Sequence, residues 1–474
     1  MNTRTTFRTN IIFCIMTSQN CVVVSRHIYV ANYDDYCPTH TSQPCCMFQC
    51  SPVPTHLVLS CRPTSRPTIT RADDKRPLHS AEGESRAPAC MVLIAKRAYS
   101  LFPMAKYLVD YQAPAWAQKL KNVPKHKVEL AMENTPIHEW NLPGIPDGFS
   151  LHIKRHDMTG SSLSGNKVGK LEFLLADAIS KGCKHVITCG GAPSNHCRAL
   201  ALACRQLGLI PHLFLTSGAK TSDDVGCRGN ILLDRLSGAD IYMMPLDSDD
   251  ERDVHPKMES LAKKIMDDTG EKSYLIPKGG SNLMGVFGTM AIFDELSRQG
   301  ALERFDDLFL TCGSGGTTTG LCIANHLAGS PLRIHGVMVH STPADAHRHV
   351  NGTLRELGVE DARSEDIVDV IDTYQGKGYS ISKQEELDFI VEVSSTTGVL
   401  VDPTYTGKAA WGLVQEMKNN PGRFKGRRVL FLHTGGMFGL FDGRMDDMLM
   451  QHGALTNNVR MCSKQTNGAQ NGSH

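Results

Sequence analysis

Lys167 closes the motif Ser164-Gly-Asn-Lys167, where a turn of small residues, Thr159-Gly-Ser-Ser162, meets a strong helical pattern, Leu171-Glu-Phe-Leu-Leu-Ala176. The N-terminal end of a helix is electropositive and disfavours a protonated amine. Lys170, one turn on, adds like charge in the same sense. A lowered amine pKa suits Schiff-base chemistry, because only the neutral amine attacks a carbonyl. Taken alone, the motif also reads as a surface lysine at an ordinary loop-helix junction.

Two further motifs suit anions. Cys189-Gly-Gly-Ala-Pro-Ser-Asn195 leads into an apolar helix, with Ser194 or Asn195 as its cap. The free N–H groups of such an end fit a carboxylate or phosphate, although any capped strand-to-helix turn has them. Thr311-Cys-Gly-Ser-Gly-Gly-Thr-Thr-Thr-Gly320 follows the apolar run Leu308-Phe-Leu310 and precedes a helix predicted from Leu321. A turn rich in Gly, Ser and Thr before a helix forms a phosphate cradle. No Gly-Lys-Ser/Thr follows, and the Rossmann spacing and its acidic partner are missing, so a phosphorylated cofactor is favoured over a nucleotide. Asp402-Pro-Thr-Tyr-Thr-Gly-Lys408 and His433-Thr-Gly-Gly436 are weaker signals. Tyr405 reads as an acid-base group or a packed aromatic, and His433 as a satisfied core histidine before a catalyst. The histidines at 335, 340, 347 and 349 straddle a strand and a loop and match no metal pattern, so no metal is expected.

The elements that must position these groups alternate between strand-like and helical runs. Val186-Ile-Thr-Cys189, Leu213-Phe-Leu215, Ile241-Tyr-Met243, Tyr274-Leu-Ile276, Leu308-Phe-Leu310, Gly336-Val-Met338 and Val429-Leu-Phe431 are predicted strands, most with helices after them. Helices are predicted from Ser194 to Leu207, near Gly229 to Leu236, and through Glu259 to Met266. Such alternation predicts an α/β fold with parallel-rich twisted sheets flanked by helices. The length of 474 residues exceeds what one core usually spans, so two domains are expected. The larger is predicted from 105–174 and 283–449, and the smaller from 175–282.

Residues 1–104 differ in composition. Pro, Ser, Thr and Cys are frequent, and no acid precedes Asp34 while Arg4, Arg8 and Arg26 do. The segment is expected to be disordered or an organelle-targeting extension, or to precede a true start at Met91 or Met104. Cys45, Cys46 and Cys50 lie near His40 and His56 but lack zinc-site spacing. Residues 450–474, rich in Asn, Gln, Gly and Ser, are expected to form a disordered tail. Lys plus Arg number 50 and Asp plus Glu 49, for a formal charge of +1. That balance gives no electrostatic reason for nucleic acid or an anionic membrane as partner. No apolar span approaches bilayer length. A small metabolite is the expected partner.

Taken in order, these motifs resemble the D-cysteine desulfhydrase and aminocyclopropane-carboxylate deaminase family. That family lies within the tryptophan-synthase-β type, or fold type II, of pyridoxal-phosphate enzymes. The likeness runs from about Pro136 to Asp446 and includes Thr135-Pro-Ile-His-Glu-Trp-Asn-Leu-Pro143, Ile276-Pro-Lys-Gly-Gly-Ser-Asn282 and Gly376-Lys-Gly-Tyr379. The resemblance implies pyridoxal 5'-phosphate, held by Lys167 as a Schiff base, and Asn195 as the partner of its ring hydroxyl. Ser194 would lie beside the substrate carboxylate and serve as a proton acceptor. Gly313, Ser314, Gly315, Gly316 and Thr317 match the phosphate loop, and Tyr405 and Tyr379 match tyrosines near the substrate.

Two positions divide the family. Deaminases carry Glu after the tyrosine of the Asp-Pro motif and Leu before the late Gly-Gly, whereas desulfhydrases carry hydroxyl residues at both. Here they are Thr406 and Thr434. The resemblance therefore implies β-elimination on D-cysteine, with Thr406 at the pyridine nitrogen. An aminocyclopropane-carboxylate deaminase, another amino-acid deaminase or racemase, and a cofactor-binding protein of little catalysis are the alternatives. A homodimer in the mitochondrion or cytoplasm is expected. The chain departs from the pattern at Gly169 for Arg, Pro193 for Gln and His156 for Asp.

Overall fold

A computed structural model describes residues 11–16, 21–26, 104–452 except 222, and residues 460 and 462. The chain forms two compact units, 1–84 and 85–474. The first contains the antiparallel strands β1 (Ile11–Met16) and β2 (Cys21–Arg26), in register from Ile11 opposite Arg26 to Met16 opposite Cys21. This pairing was not anticipated from composition. Its physical basis is two apolar runs rich in β-branched residues, separated by polar Thr17-Ser-Gln-Asn20. The proposed start at Met91, the cysteines at 45, 46 and 50 and nearly all of the C-terminal tail lie outside the described residues, whereas the alternative start, Met104, opens a short helical turn, Met104–Tyr107.

In the second unit, β3 (Leu108–Asp110) and β4 (His126–Val128) form an antiparallel pair. Strands β5 (Ile137–Glu139) and β6 (Ser150–Lys154) also pair antiparallel. Four strands follow: β7 (Cys183–Gly191), β8 (Ile210–Ser217), β9 (Asp240–Pro245) and β10 (Lys272–Ile276). They form an all-parallel sheet in the order β10-β7-β8-β9. The remaining strands are β11 (Asp307–Cys312), β12 (Arg333–Met338), β13 (Asp369–Ile371) and β14 (Arg428–Leu432). They join β6 and β5 in the order β13-β12-β11-β14-β6-β5, parallel except at the β5–β6 edge. The architecture is α/β with parallel-rich sheets, as the alternation predicts.

Burial on both faces explains the apolar runs. On β11, Leu308 and Leu310 join one core with Phe287, Phe293 and Leu321, while Phe309 joins another with Phe431, Ile390 and Leu413. Each fully buried side chain of this size contributes roughly 1.5–3 kcal/mol, and alternation along the strand serves both helical layers.

The helices that position the site are α1 (Lys167–Ser180), α2 (Asn195–Gln206), α3 (Leu283–Arg298), α4 (Gly316–Leu327) and α5 (Thr406–Asn419). Helix α4 starts five residues before the predicted Leu321. Glycine and threonine have weak helix propensity, but packing overrides it here. A Cβ on Gly320 would lie 1.9 Å from Thr289 Oγ1, so α4 and α3 touch at backbone distance. Helices α1 and α3 cross as closely, since a Cβ on Gly288 would lie 2.1 Å from the Gly169 carbonyl oxygen. A last helix, Arg444–His452, runs past the expected start of the tail. Among the described residues, no helix is long and apolar enough to cross a membrane.

Candidate active site

The turn before α1 lies against the turn after β14. Gly165 has φ +98, and a Cβ there would lie 2.6 Å from the Thr434 carbonyl oxygen, which accepts from Asn166 N at 3.1 Å. Both the torsion and the contact require glycine. Lys167 therefore starts α1 at the mouth of a cavity that Asn166, Lys167, Asn195, Thr434 and the glycine turn line. Its ammonium lies 3.4 Å from the Gly279 carbonyl oxygen. Burial lowers its pKa to about 8, so a sizeable neutral fraction exists near neutral pH.

Lys170, which the motif reading took only as a neighbouring like charge, shares the Gly279 carbonyl with Lys167. It is wholly buried, and its ammonium meets neutral oxygens, the Gly279 carbonyl at 3.2 Å and Ser281 Oγ at 3.3 Å. Burial first, then Lys167, push its pKa well below the ordinary lysine value. A Cβ on Gly316 would lie 2.7 Å from its Nζ, so the amine sits at the start of α4. The first backbone bond there runs from Thr319 N to Gly315 O, which leaves the N–H groups of Gly316, Thr317 and Thr318 without an intrahelical acceptor. An anion between the amine and these N–H groups would satisfy both. The spacing of three from Lys167 put Lys170 on the same helix face, and that was the available signal.

Gly313, Ser314, Gly315 and Thr317 line the cavity, and Gly316 lies behind them against Lys170. Ser314 Oγ and Ser281 Oγ are 2.6 Å apart, and Asn166 Nδ2 donates to Thr317 Oγ1 at 2.8 Å. Gly315 has φ +84 and faces the His349 ring, 3.1 Å from a Cβ built there. The Thr311 hydroxyl, also at the cavity, is buried and has no hydrogen-bond partner among the described residues.

Ser194 caps α2, its Oγ accepting from Cys197 N at 3.2 Å, and does not line the cavity. Asn195 does, with Oδ1 accepting from Asn230 Nδ2 at 3.1 Å. Tyr405 also lines it, beside Gly313, and its hydroxyl is 2.8 Å from that of Tyr379, which is not among the lining residues. Burial raises Tyr379 to about 12 and Tyr405 well above the ordinary tyrosine value, so both are neutral phenols.

The two threonines separate. Thr434 lines the cavity, whereas Thr406 is wholly buried and turned away. Its hydroxyl donates to Asp402 Oδ1 at 2.7 Å and accepts from Asp402 N at 2.9 Å. Thr406 is thus not brought to the cavity, because a local carboxylate captures its side chain. His433 accepts from Gly435 N at Nδ1, which leaves Nε2 to donate to the Leu400 carbonyl at 2.8 Å, a satisfied core histidine. Lys408 is buried and donates to the carbonyls of Gln375, Gly378 and Ile381. It anchors the turn that carries Tyr379.

The departures fall in two places. Pro193 adjoins the α2 cap, its carbonyl accepting from Asn230 Nδ2 at 2.8 Å. Gly169 and His156 line a separate cavity.

The donor set suits a phosphorylated carbonyl cofactor: an amine of lowered pKa, free helix N–H groups, a second buried amine that an anion would help to keep protonated, and an orphaned threonine hydroxyl. The cavity is narrow, about 30 Å³.

Residues 128–435 match the family model described as pyridoxal-phosphate dependent enzyme. A relative from Arabidopsis thaliana, named bifunctional D-cysteine desulfhydrase/1-aminocyclopropane-1-carboxylate deaminase, mitochondrial, is 41% identical over 74% of this chain and 88% of its own. A D-cysteine desulfhydrase from Yersinia enterocolitica is 32% identical over 68% of this chain and 97% of its own. A crystal structure titled as an ACC deaminase homologue superposes with a TM-score of 0.62 at 32% identity, covering 72% of this chain and 99% of that one. The chain therefore belongs to the pyridoxal-phosphate dependent enzymes of fold type II, within the D-cysteine desulfhydrase and aminocyclopropane-carboxylate deaminase family.

Proposed function

We propose that the enzyme converts D-cysteine and water to pyruvate, hydrogen sulfide and ammonia by β-elimination. The observation that carries this reading is that no carboxylate lines the cavity among the described residues; its polar groups are amine, amide and hydroxyl. Bound pyridoxal phosphate supplies an electron sink, and no charge in the cavity holds a proton on its ring nitrogen to deepen that sink. A modest sink supports loss of a good leaving group such as thiolate more readily than opening of an unactivated ring.

Lys167, with its pKa near 8, anchors the cofactor and moves the α-proton. Lys170, the start of α4 and Gly313 to Thr317 hold the phosphate. Asn195 holds the ring hydroxyl, and Ser194 with the α2 terminus receives the substrate carboxylate. The Tyr405 and Tyr379 pair, neutral and hydrogen-bonded, delivers a proton to the departing sulfur. Thr406 acts through Asp402 on the placement of Tyr405. Residues 175–282 serve as a small domain against 105–174 and 283–449, and the working unit is a homodimer. The Arabidopsis relative's printed location and the acid-poor start of the chain support a mitochondrial site over the cytoplasm.

The test is a panel of D- and L-cysteine, D-serine and aminocyclopropane-carboxylate, read separately for sulfide, pyruvate, other keto acids and ammonia. Sulfide and pyruvate in equal amounts from D-cysteine are expected. Faster turnover of aminocyclopropane-carboxylate, or substrate inversion without ammonia, would replace this reading with deamination or racemisation. No turnover of any compound by cofactor-loaded protein would leave a cofactor-binding role.

A further inference from the structure

Lys167 and Lys170 occupy one face of α1, and Gly169 and Glu172, two and five positions on from Lys167, fall on the other. That second face borders a cavity of about 220 Å³, closed by α3, the β3–β4 pair and the turn at 131–133. Its lining carries five carboxylates, Asp110, Glu133, Glu172, Asp294 and Glu295, against two cations, Lys127 and Arg298. Both cations are already paired: Lys127 with Glu133 at 3.1 Å, and Arg298 with Asp294 at 3.2 Å and Glu133 at 3.7 Å. Glu295 is held by the buried Lys154 and accepts from Thr135 N. Glu172 Oε1 accepts from the Leu130 and Ala131 N–H groups, and burial raises its pKa. With Lys154 counted, five carboxylates meet three cationic side chains, so the cavity is richer in acids than in bases.

A second observation is independent of that charge. His156 lines the same cavity, is 4% exposed, and has no hydrogen-bond partner for either ring nitrogen among the described residues. Burial lowers its pKa to about 3, so the ring is neutral and presents one bare acceptor nitrogen. A buried polar group left unsatisfied is costly. Tyr111 adds an aromatic ring to the wall.

We propose that this cavity is a binding site for a small organic cation of the guanidinium class, whose N–H groups donate to Glu172, Asp294 and the bare nitrogen of His156. A planar, weakly hydrated cation with several fixed donors suits carboxylates beside an aromatic ring better than a compact ammonium does. Gly169 and His156, two of the three departures from the family pattern, both line this site, so it belongs to this chain's own sequence. It lies on the opposite face of α1 from Lys167 and does not depend on the proposed reaction.

The probe is methylguanidinium chloride, titrated calorimetrically into full-length enzyme loaded with pyridoxal phosphate. Sodium chloride and tetramethylammonium chloride at equal ionic strength are the controls. One saturable site is expected for methylguanidinium and none for the controls, with a shift in the His156 ring nitrogen resonances at saturation. Asp294→Asn, at a half-buried helix position, should weaken binding about fivefold or more. Ala291→Leu, which fills the cavity without changing charge, should abolish it, and Asp447→Asn, on the C-terminal helix, should leave it unchanged. Absence of saturable binding to wild type overturns the proposal. So does binding that survives both cavity variants with the His156 resonances unmoved.

Discussion

Replacing Lys408 by Met should release the turn that carries Tyr379 while leaving the cofactor in place. The Lys408 ammonium is wholly buried and donates at 2.7, 2.8 and 3.1 Å to the carbonyls of Gln375, Gly378 and Ile381. Hydrogen bonds to a charged group contribute about 1.5–3 kcal/mol each, which bounds the gross loss at roughly 5–9 kcal/mol. Two effects reduce it. Removing a buried charge recovers its desolvation penalty, and Ile381 is exposed, so part of the freed turn can reach water. A net loss of about 2–4 kcal/mol follows. For a unit of this size each kcal/mol moves Tm by roughly 1–2 °C, so a fall of about 2–8 °C is expected. Ser380 and Ser382 still tie the turn to Thr404 and Pro403. The unit should therefore stay folded while Tyr379 loses its fixed distance to Tyr405, with turnover down about tenfold or more. The assay pairs thermal melting with turnover and cofactor content. A Tm and rate equal to wild type would refute the argument that this amine positions Tyr379.

Lys167→Ala should lose turnover and release pyridoxal phosphate on dialysis, read by cofactor fluorescence; retention of both cofactor and rate would remove Lys167 from the centre of the site. Lys170→Gln should leave the Lys167 attachment possible but weaken cofactor binding roughly tenfold to a hundredfold, the scale of one lost hydrogen bond to charge. An unchanged cofactor Kd would show that the buried amine does not meet the phosphate. Burial is the largest single effect on His335 and lowers its pKa, but Asp307 and Asp369, each at 2.8 Å, together outweigh it and raise the pKa above the ordinary 6.5. The stability from this raised group is fully present below pH 6.5 and is lost as pH rises through the folded value. The Tm gap between wild type and His335→Gln should therefore narrow from pH 6 to pH 9, and a pH-independent gap would count against the ion pairs.

Local patterns were legible where local forces decide. The helix predicted near Gly229 to Leu236 spans those residues, and Ile241 to Met243 falls inside β9. An apolar run flanked by turn residues is sufficient there. The start of α4 was misplaced because its first turn depends on Thr289, 31 positions upstream of Gly320. The motif around Lys167 showed a lowered amine pKa, and the direction agrees, but the cause differs. Burial dominates at Lys167, and the like-charge effect falls on Lys170, which Lys167 pushes further down. Residue type alone could not show that Lys170 is buried without a counter-ion, or that Gly169 and His156 share a cavity, since both facts depend on chain segments far apart.

The threonine pair shows how one residue type divides into two roles. Asp402 is buried and accepts from the backbone N–H groups of Thr404, Tyr405 and Thr406 as well as the Thr406 hydroxyl. Its acceptor positions are thereby occupied by the turn that sets Tyr405 at the start of α5. Gly436 closes over it so tightly that a Cβ there would lie 2.4 Å from Oδ1. A carboxylate so engaged cannot also turn toward the cavity, and the Thr406 hydroxyl is confined with it. Thr434, next to the Gly435-Gly436 turn that seals Asp402, lines the cavity instead. Any influence of position 406 on the cavity must then pass through Asp402 and the backbone of Tyr405, whereas Thr434 borders the cavity itself. The absence of a lining carboxylate is therefore built into the packing of two loops, and a single change at 406 would have to displace Asp402 before it could supply one.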